Sequence, residues 1–256
     1  MKIYVCVKHV PDSAATITIK DQNRIEENIT FLLNPYDEHA VTEAARLKKE
    51  LSGVEVIAVC LAKPAAENTL RSAMAMGADR SILITTDRNH DSLVTARALK
   101  AAIEGDGQPS LILGGKESID AEGMQTLFRL ARLFSMPAAV NVVKITVEDA
   151  HAVVECEKEA GARDVLKLGL PCALGAGRGL NTPRYPTLPD IMKARKKEVR
   201  QIPLESLQIE KPAGAVEILE LTPSVETREP KEITGDADAV ADQLVRILRD
   251  EAKVVS

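Results

Sequence analysis

The stretch LILGGKESIDAEGMQTLFRLARLF, residues 111–134, indicates how the chain is organised. It begins with the apolar run Leu111–Leu113, which is typical of a strand buried on both faces of a sheet. Apolar residues then recur at helical spacing from Leu127 to Phe134. Glycines and short polar residues lie between the two parts. The pattern predicts a buried strand, a glycine-containing loop and an amphipathic helix.

The junction between this strand and this helix has the composition of an anion site. Gly114 and Gly115 let a ligand approach the backbone closely. The helix that begins near Gln125 presents unpaired N–H groups and the positive end of its dipole. A bound phosphate is one interpretation. An ordinary strand-to-helix crossover gives the same local pattern, so the stretch alone leaves both open.

The residues before this stretch alternate between strand and helix patterns. Apolar runs predict strands at Ile3–Val7, Val54–Leu61 and Ser81–Thr85, with helices between them and up to Gly105. Such alternation predicts a doubly wound α/β fold with a parallel sheet from residue 1 to about 135 and helices on both of its faces. Ligands bind such sheets outside the carboxyl ends of the strands, where the glycine loop lies. The predicted fold therefore favours the phosphate interpretation.

A helix start is predicted at a second strand end. Asn34 is expected to cap the helix and Pro35 to occupy its first position. The carboxylates of Asp37 and Glu38 are expected to favour the positive end of its dipole. This junction should lie on the same edge of the sheet as the glycine loop.

The pattern changes after Pro137. Short extended segments at Val140–Val147, Ala152–Cys156, Val165–Leu168 and Pro171–Leu174 predict strands that extend or flank the sheet antiparallel. Few helical patterns interrupt them, so this part of the chain is expected to differ from the parallel part.

The expected domain boundary lies near residue 206. Residues 1–206 are predicted to form the nucleotide-binding domain, and 207–256 a proline-punctuated C-terminal arm. An amphipathic helix from Ala237 to about Ala252 is expected to pack on a partner subunit.

The segment NTPRYPTLPDIMKARKKEVR, residues 181–200, is a second unusual stretch. Leu188, Ile191 and Met192 form an apolar cluster that basic residues follow. One interpretation is a docking element, extended by its prolines, with an apolar anchor ringed by positive charge. The other is a capped surface helix with a solvated basic face, in which Leu188 fastens the helix to its own domain.

Composition excludes several classes of protein. The net charge of −5 gives no general attraction to nucleic acid or to anionic membranes, and 2% aromatic residues argue against base-stacking platforms. The four cysteines are scattered without CxxC spacing, so no metal site is expected. No segment has the run of apolar residues that a membrane span needs, and a cytoplasmic protein is expected.

The sequence offers no catalytic residue. Its four histidines stand in unrelated contexts, and no nucleophile, base and orienting group are suggested. A nucleotide-hydrolysing enzyme on the same fold is an alternative. It would need a metal-holding carboxylate pair, for which Asp120 and Glu122 are the candidates, although helix-cap chemistry explains them more simply.

Four motifs together carry a resemblance. They are NPYDEHAVTEAARLK, AMAMGADR, GKESIDAEGMQT and NTPRYPTLPDIMKARKK, in this order. Over residues 2–200 the chain resembles the β subunits of electron-transfer flavoproteins. The resemblance implies a flavodoxin-like domain of the adenine-nucleotide-binding type, in an electron carrier and not an enzyme. It implies a heterodimer in which an α subunit holds the redox-active FAD and the β subunit buries a structural AMP. It also implies electron donors such as acyl-CoA dehydrogenases and a membrane quinone oxidoreductase as acceptor.

The resemblance also implies two sets of site residues. The AMP contacts implied are Cys6, Asn34, Pro35, Tyr36, Asp37, Leu61, Gly115, Lys116, Glu117, Ser118, Ile119, Asp120, Ala121, Glu122, Gly123, Met124, Gln125 and Thr126. The partner-docking residues implied are Arg184, Tyr185, Leu188, Ile191, Met192, Lys193, Lys196 and Lys197, with Leu188 as the anchor.

A branch of the family performs electron bifurcation with a second FAD in place of AMP. The loop of that branch reads close to DGDTAQVGP, whereas the corresponding residues here read DAEGMQTLF, which lacks that pattern but keeps Gln125-Thr126. AMP is therefore expected, and the bifurcating form is the alternative.

Overall fold

The computed structural model describes residues 1–210, 218–223 and 230–255. The chain forms two compact units, Met1–Leu219 and Glu220–Ser256. The first unit thus extends beyond residue 206, where the sequence predicted the arm to begin.

The first unit contains the central sheet and two small two-stranded sheets. The strands of this unit are β1 Lys2–Cys6, β2 His9–Pro11, β3 Ile19–Lys20, β4 Arg24–Ile25, β5 Phe31–Leu33, β6 Glu55–Ala62, β7 Arg80–Thr85, β8 Leu111–Gly115, β9 Ala138–Glu148, β10 His151–Glu157, β11 Arg163–Gly169, β12 Cys172–Ala176 and β13 Val199–Pro203. The two small sheets pair β2 with β5 and β3 with β4. The α-helices of the chain are α1 Pro35–Glu50, α2 Glu67–Met76, α3 Ser92–Glu104, α4 Thr126–Leu133, α5 Leu188–Ala194 and, in the second unit, α6 Ala237–Arg246.

Nine strands form the central sheet, in the order β11-β10-β9-β12-β8-β1-β6-β7-β13. All neighbours from β9 to β13 in this order pair in parallel, and only β10 runs against both of its neighbours. The predicted doubly wound, mostly parallel α/β sheet is confirmed.

The prediction that the parallel part ends near residue 135 is wrong. β12 pairs in parallel with both β8 and β9, and β13 pairs in parallel with β7. The antiparallel extension is limited to the pairing of β10 with β9 and β11. The run CALGA in β12 is apolar throughout, which is typical of a central parallel strand, but short apolar runs carry no information on strand direction.

Helices cover both faces of the sheet. Ile3 and Val5 of β1 pack in one buried cluster with Ala40 of α1 and Leu70 of α2. The intervening Tyr4 belongs to a second cluster, on the other face, with residues of α3 and α4. Alternate residues of a strand point to opposite faces, so a continuous apolar run serves two helical layers at once.

The predicted helix starts are in place, but one cap acts differently. Asp91 caps α3, because its side chain accepts the N–H groups of Leu93 and Val94 at 2.8 and 2.9 Å. Asn34 stands at the N-cap of α1, yet its side chain makes no capping hydrogen bond. The expectation that Asn34 caps the helix is therefore wrong, and its side chain bonds to a distant loop instead.

The docking segment 181–200 contains the helix α5, as the capped-helix interpretation predicted, although its prolines were also expected to hold the chain around Leu188 extended. Leu188 and Pro189 form the first turn of α5, which Thr187 and Asp190 cap reciprocally. Proline fits this turn because the first N–H groups of a helix have no intrahelical partner.

The second unit contains α6, at the place where the sequence predicted a helix. Asp236 caps it by accepting the N–H of Ala239, and the turn Ile247–Glu251 continues it. No residue of α6 is buried within the chain. The packing of α6 on a partner remains a prediction, and residues 211–217 and 224–229 of the predicted arm lie outside the described residues.

In the part of the chain that the structure describes, no helix is long and apolar enough to cross a membrane.

Candidate functional site

The carboxylate of Asp37 joins the ends of two parallel strands. Its Oδ2 accepts the backbone N–H of Lys8, just after β1, at 2.8 Å, and its Oδ1 accepts that of Gly115, at the end of β8, at 2.7 Å. Asp37 lies in the first turn of α1 and is buried. The sequence predicted that this carboxylate favours the helix dipole, and the resemblance implied that it contacts AMP. It also joins α1 to the carboxyl ends of β1 and β8, because both oxygens of one buried side chain accept backbone N–H groups there.

Asp37 occupies an environment that disfavours its charge. Burial raises the pKa of Asp37 to about 7, although the hydrogen bonds from Lys8 and Gly115 act in the opposite direction. The carboxyl group can therefore change its protonation state near neutral pH.

Asn34 holds the loop that follows β8. Its Nδ2 donates to the carbonyl of Glu117 at 2.9 Å, and its Oδ1 accepts the N–H of Ile119 at 3.2 Å. Asn34 is itself buried. A side chain that satisfies one donor and one acceptor of the same loop fixes the path of that loop. This use of Asn34 explains why it does not cap its own helix.

Gly115 allows the closest approach between the loop and α1. A Cβ at this position would lie 2.5 Å from the Cβ of Tyr36 and 2.6 Å from Oδ1 of Asp37. Gly114 and Gly115 continue β8 and do not bend the chain. The two glycines therefore serve close packing at the strand end.

The implied contacts Cys6 and Leu61 lie at the same edge of the sheet. Cys6 is the last residue of β1, and Leu61 is near the end of β6, which pairs with β1 in parallel. The structure thus brings together the three strand ends, the start of α1 and the loop, all of which the resemblance implied.

The outer part of the loop is exposed from Asp120 to Gln125. Glu122 and Met124 have positive φ values of 48° and 51°, so the loop takes a left-handed path on each side of Gly123. Asp120 accepts a hydrogen bond from the ammonium of Lys8 at 2.7 Å. Asp120 is thus already paired with a cation, which weighs against the carboxylate pair of a hydrolase.

The loop ends at the N-terminus of α4. Gln125 stands at the N-cap, and its side chain makes no capping hydrogen bond. The amide oxygen of Gln125 accepts instead from Arg129, one turn along the helix, at 2.5 and 3.2 Å. The first N–H groups of a helix lack intrahelical partners, so α4 offers uncapped donors and the positive end of its dipole to a ligand.

Tyr36 brings together two cations that sequence reasoning did not connect. Lys116 lies over the Tyr36 ring at 5.3 Å from its centroid, and Arg178 at 5.1 Å. Lys116 also pairs with Glu117 at 3.1 Å. The GAGRG run that contains Arg178 was discarded as a dinucleotide motif, and no local pattern could indicate that β12 places it beside α1.

The docking segment presents an exposed apolar surface. Tyr185 is 82% exposed, Leu188 is 72% exposed, and Ile191 and Met192 are also exposed. We call these four side chains the docking face. The exposure of Leu188 is inconsistent with a role in fastening the helix to its own domain. Lys193 and Lys196 are exposed within the same segment.

Two of the implied docking residues are engaged by their own chain. Lys197 donates from Nζ to the carbonyls of Met74 and Ala78, at 2.9 and 2.6 Å. Arg184 forms an ion pair with Asp190 at 2.7 Å. For Lys197 the expected contact with a partner is replaced by an intramolecular one.

All four cysteines are free thiols. Among the described residues, no group of three or more His, Cys, Asp or Glu side chains could hold a metal ion.

Comparisons with known proteins show which family the chain belongs to. The family model for the electron transfer flavoprotein domain matches residues 23–207. The chain is 35% identical over 258 residues to the mitochondrial electron transfer flavoprotein subunit beta of Arabidopsis thaliana, with 100% of both proteins covered. It is 32% identical over 264 residues to electron transfer flavoprotein subunit beta of Bacillus subtilis (strain 168), again with 100% of both covered.

A third relative belongs to a larger assembly. The chain is 35% identical over 203 residues to the caffeyl-CoA reductase-Etf complex subunit CarD of Acetobacterium woodii, which covers 78% of this chain and 77% of that protein.

The family match spans most of the chain, and the Arabidopsis and Bacillus subunits align with it over their full length. The chain therefore belongs to the electron transfer flavoprotein family as a β subunit, which pairs with an α subunit in an electron carrier and is not an enzyme.

Proposed function

We propose that this chain binds AMP as a structural nucleotide where β8 meets α4. It acts as the β subunit of a heterodimer whose α subunit holds the redox-active FAD. The nucleotide stabilises the assembly, and the FAD supplies the electron-transfer chemistry. The cytoplasmic location expected from the sequence remains a prediction.

The observation that carries this proposal is the loop 116–125. The domain holds the first part of this loop by hydrogen bonds, and residues 120–125 are exposed. Asn34 holds the first part through two hydrogen bonds, to the carbonyl of Glu117 and the N–H of Ile119, and Asp37 fixes Gly115 just before it. The exposed residues lead to the uncapped N-terminus of α4. A fixed loop that leads to the unpaired first N–H groups of a helix fits a phosphate group, because little order is lost when the ligand binds.

The residues that would hold the nucleotide have distinct roles. Backbone N–H groups at the start of α4, with the side chains of Gln125 and Thr126, would bind the phosphate. The ends of β1 and β6, at Cys6 and Leu61, would form the wall of the crevice beneath it. No bond is made or broken at this site.

Nucleotide extraction tests the proposal. The heterodimer, purified without added nucleotide, is denatured with acid and its soluble nucleotides are counted against protein. One FAD and one AMP per heterodimer are expected. Two FAD and no AMP would contradict the AMP assignment and favour the bifurcating form.

The bifurcating form is the second candidate. Sequence identity does not separate the two, because the chain is 35% identical both to the Arabidopsis subunit and to CarD. The loop DAEGMQTLF favours AMP, since it lacks most of the DGDTAQVGP pattern. The number of flavins per heterodimer decides between them.

The docking face would bind the electron donors. Exposed apolar side chains on a capped helix, beside Lys193 and Lys196, fit a partner with an apolar pocket and an acidic rim. Dehydrogenases such as acyl-CoA dehydrogenases are the proposed donors, and a membrane quinone oxidoreductase is the proposed acceptor. Reduction of the FAD by a purified acyl-CoA dehydrogenase, held reduced by its acyl-CoA, tests the donor class.

A further inference from the structure

Arg71 connects α2 to the end of the docking segment. Its Nη1 donates to the backbone carbonyls of Ala194 and Lys197, at 2.9 and 2.6 Å. Glu67, one turn earlier in α2, accepts from Nε and Nη2 of the same guanidinium at 3.2 and 2.8 Å. Arg71 is therefore braced on its own helix while it bonds to the last residues of α5 and the turn after it.

Two further cations bond in the opposite direction, from the docking segment to α2. Lys197 donates to the carbonyls of Met74 and Ala78, and Arg184 donates from Nη1 to the carbonyl of Met76 at 3.1 Å. These carbonyls belong to the C-terminal end of α2 and the turn that follows it.

The chemistry of helix ends explains this exchange of bonds. The last carbonyls of a helix have no intrahelical partners, and cations are favoured there by the helix dipole. Here the C-terminal ends of α2 and α5 lie together, and each receives its cations from the other segment. Ala194 is buried at the contact, so no large side chain separates the two helices.

We infer that Arg71, with Arg184 and Lys197, positions the docking face. It fixes the orientation of α5, so that Leu188 and its exposed neighbours are presented to a partner in one arrangement. A surface ordered in advance loses less entropy when it binds. The inference rests on the docking function proposed above.

The test uses the heterodimer and compares Arg71→Met with Arg46→Met. Arg46 is a matched control, because it also bonds to Glu43 and Glu50 on its own helix and to one backbone carbonyl, that of Ile145. Arg46 lies on α1 and makes no recorded bond to α5. Both substitutions remove one guanidinium with similar partners, but only Arg71 bonds to the docking segment.

Hydrogen–deuterium exchange gives the first measurement. The N–H groups of Ile191 and Arg195 bond to the carbonyls of Thr187 and Ile191. Arg71→Met removes two hydrogen bonds from a charged group, to Ala194 and Lys197, and the loss of even one such bond corresponds to about a tenfold change in an opening equilibrium. Peptides that contain these amides are expected to exchange about tenfold faster in Arg71→Met and at the wild-type rate in Arg46→Met. Equal rates in the two variants would overturn the inference.

Electron transfer gives the second measurement, with the reduced acyl-CoA dehydrogenase as donor. Arg71→Met is expected to raise KM for the donor about tenfold with kcat changed less than twofold. A purely structural role would lower the amount of active heterodimer and leave KM unchanged. Arg46→Met should leave both constants unchanged.

Leu188→Ala distinguishes a failure of the docking proposal from a failure of the positioning role of Arg71. If Leu188→Ala leaves KM for the donor unchanged, the docking proposal itself is wrong. If Leu188→Ala raises KM and Arg71→Met does not, docking stands and the positioning role of Arg71 is refuted.

Discussion

Oδ1 of Asp37 accepts the backbone N–H of Gly115 across 2.7 Å and so fastens the first turn of α1 to the last residue of β8. Only a glycine allows this contact, because a Cβ would lie 2.6 Å from that oxygen. Gly115→Ala is expected to lower the free energy of unfolding by about 1–3 kcal/mol through overpacking. Denaturant unfolding measures the loss. Gly169→Ala is the control, since a Cβ there meets nothing within 4 Å, and equal losses in both variants would show that the contact is unimportant.

Asp37 should also make stability depend on pH. Its folded pKa is raised to about 7 from the ordinary value of 3.8, chiefly by burial, so the folded state binds a proton more tightly than the unfolded state. The contribution to the free energy of unfolding is therefore greatest below pH 3.8 and is lost as pH rises to about 7, by up to about 1.4 kcal/mol per pH unit.

Asp37→Asn tests this dependence, because it removes the titration. The difference in free energy of unfolding between wild type and Asp37→Asn should change across this pH range and be constant above about pH 7. The control is Asp149→Asn, in the exposed turn between β9 and β10. A constant difference between pH 4 and 7 would mean that Asp37 stays charged throughout this range.

Asp106 should make stability depend on pH in the opposite direction, since its pKa is lowered. Burial alone would raise the pKa of Asp106, but hydrogen bonds from Arg80 and Tyr4 outweigh it and lower the pKa to about 2. Its contribution to stability is therefore present above pH 3.8 and is lost as pH falls to about 2. Asp106→Asn should cost about 2–3 kcal/mol at pH 7 and nothing extra near pH 2. Thermal unfolding against pH measures this, with the exposed Asp87→Asn as control, and a cost that persists at pH 2 would refute the ionic explanation.

Gln125→Ala should weaken nucleotide retention and assembly more than redox chemistry. The side chain stands at the uncapped start of α4, where one lost charge-assisted hydrogen bond costs about 1.5–3 kcal/mol. AMP content and the dissociation constant of the subunits are the measurements. Gln201→Ala is the control, an exposed amide on β13 that bonds only to Glu67. Normal assembly with a shifted flavin potential would place AMP elsewhere.

Leu188→Ala should reduce electron transfer from the donor and leave the FAD and the heterodimer intact. Burial of a leucine in a partner pocket contributes roughly 1.5–3 kcal/mol, so the affinity should fall by about one to two decades. Val165→Ala is the control, because Val165 is 67% exposed but lies on β11. A melting temperature many degrees lower, with turnover falling only in proportion, would instead place Leu188 in the core.

Local patterns in the sequence predicted most of the elements and the edge of the sheet that carries the site. Hydrophobic periodicity and capping residues such as Asp91 act within a few residues, so they can be read from the sequence. The direction of β12 could not be predicted from the sequence, because an all-apolar run fits a parallel or an antiparallel strand. The partners of Asn34 and Asp37 are about eighty residues away, so helix-start chemistry explained only part of each residue.

The docking segment shows the same limit. Six of the eight residues of the expected set are exposed in or beside the docking face, whereas Arg184 and Lys197 bond to carbonyls at the end of α2. A run of lysines does not indicate which ammonium faces inward. Only the packing of α5 on α2 decides that, and this contact joins residues over a hundred positions apart.

The chain that carries α5 leaves the sheet at β12 and re-enters it at β13, beyond the four strands β8, β1, β6 and β7. A partner that pulls on α5 would therefore load an edge strand and the end of α2. The strands β1 and β8, which would line the proposed nucleotide crevice, lie inside the sheet with hydrogen-bonded neighbours on both sides. We expect this arrangement to keep the force on α5 away from the proposed nucleotide site. Donors could then bind to α5 and leave it many times without transmitting force to the nucleotide.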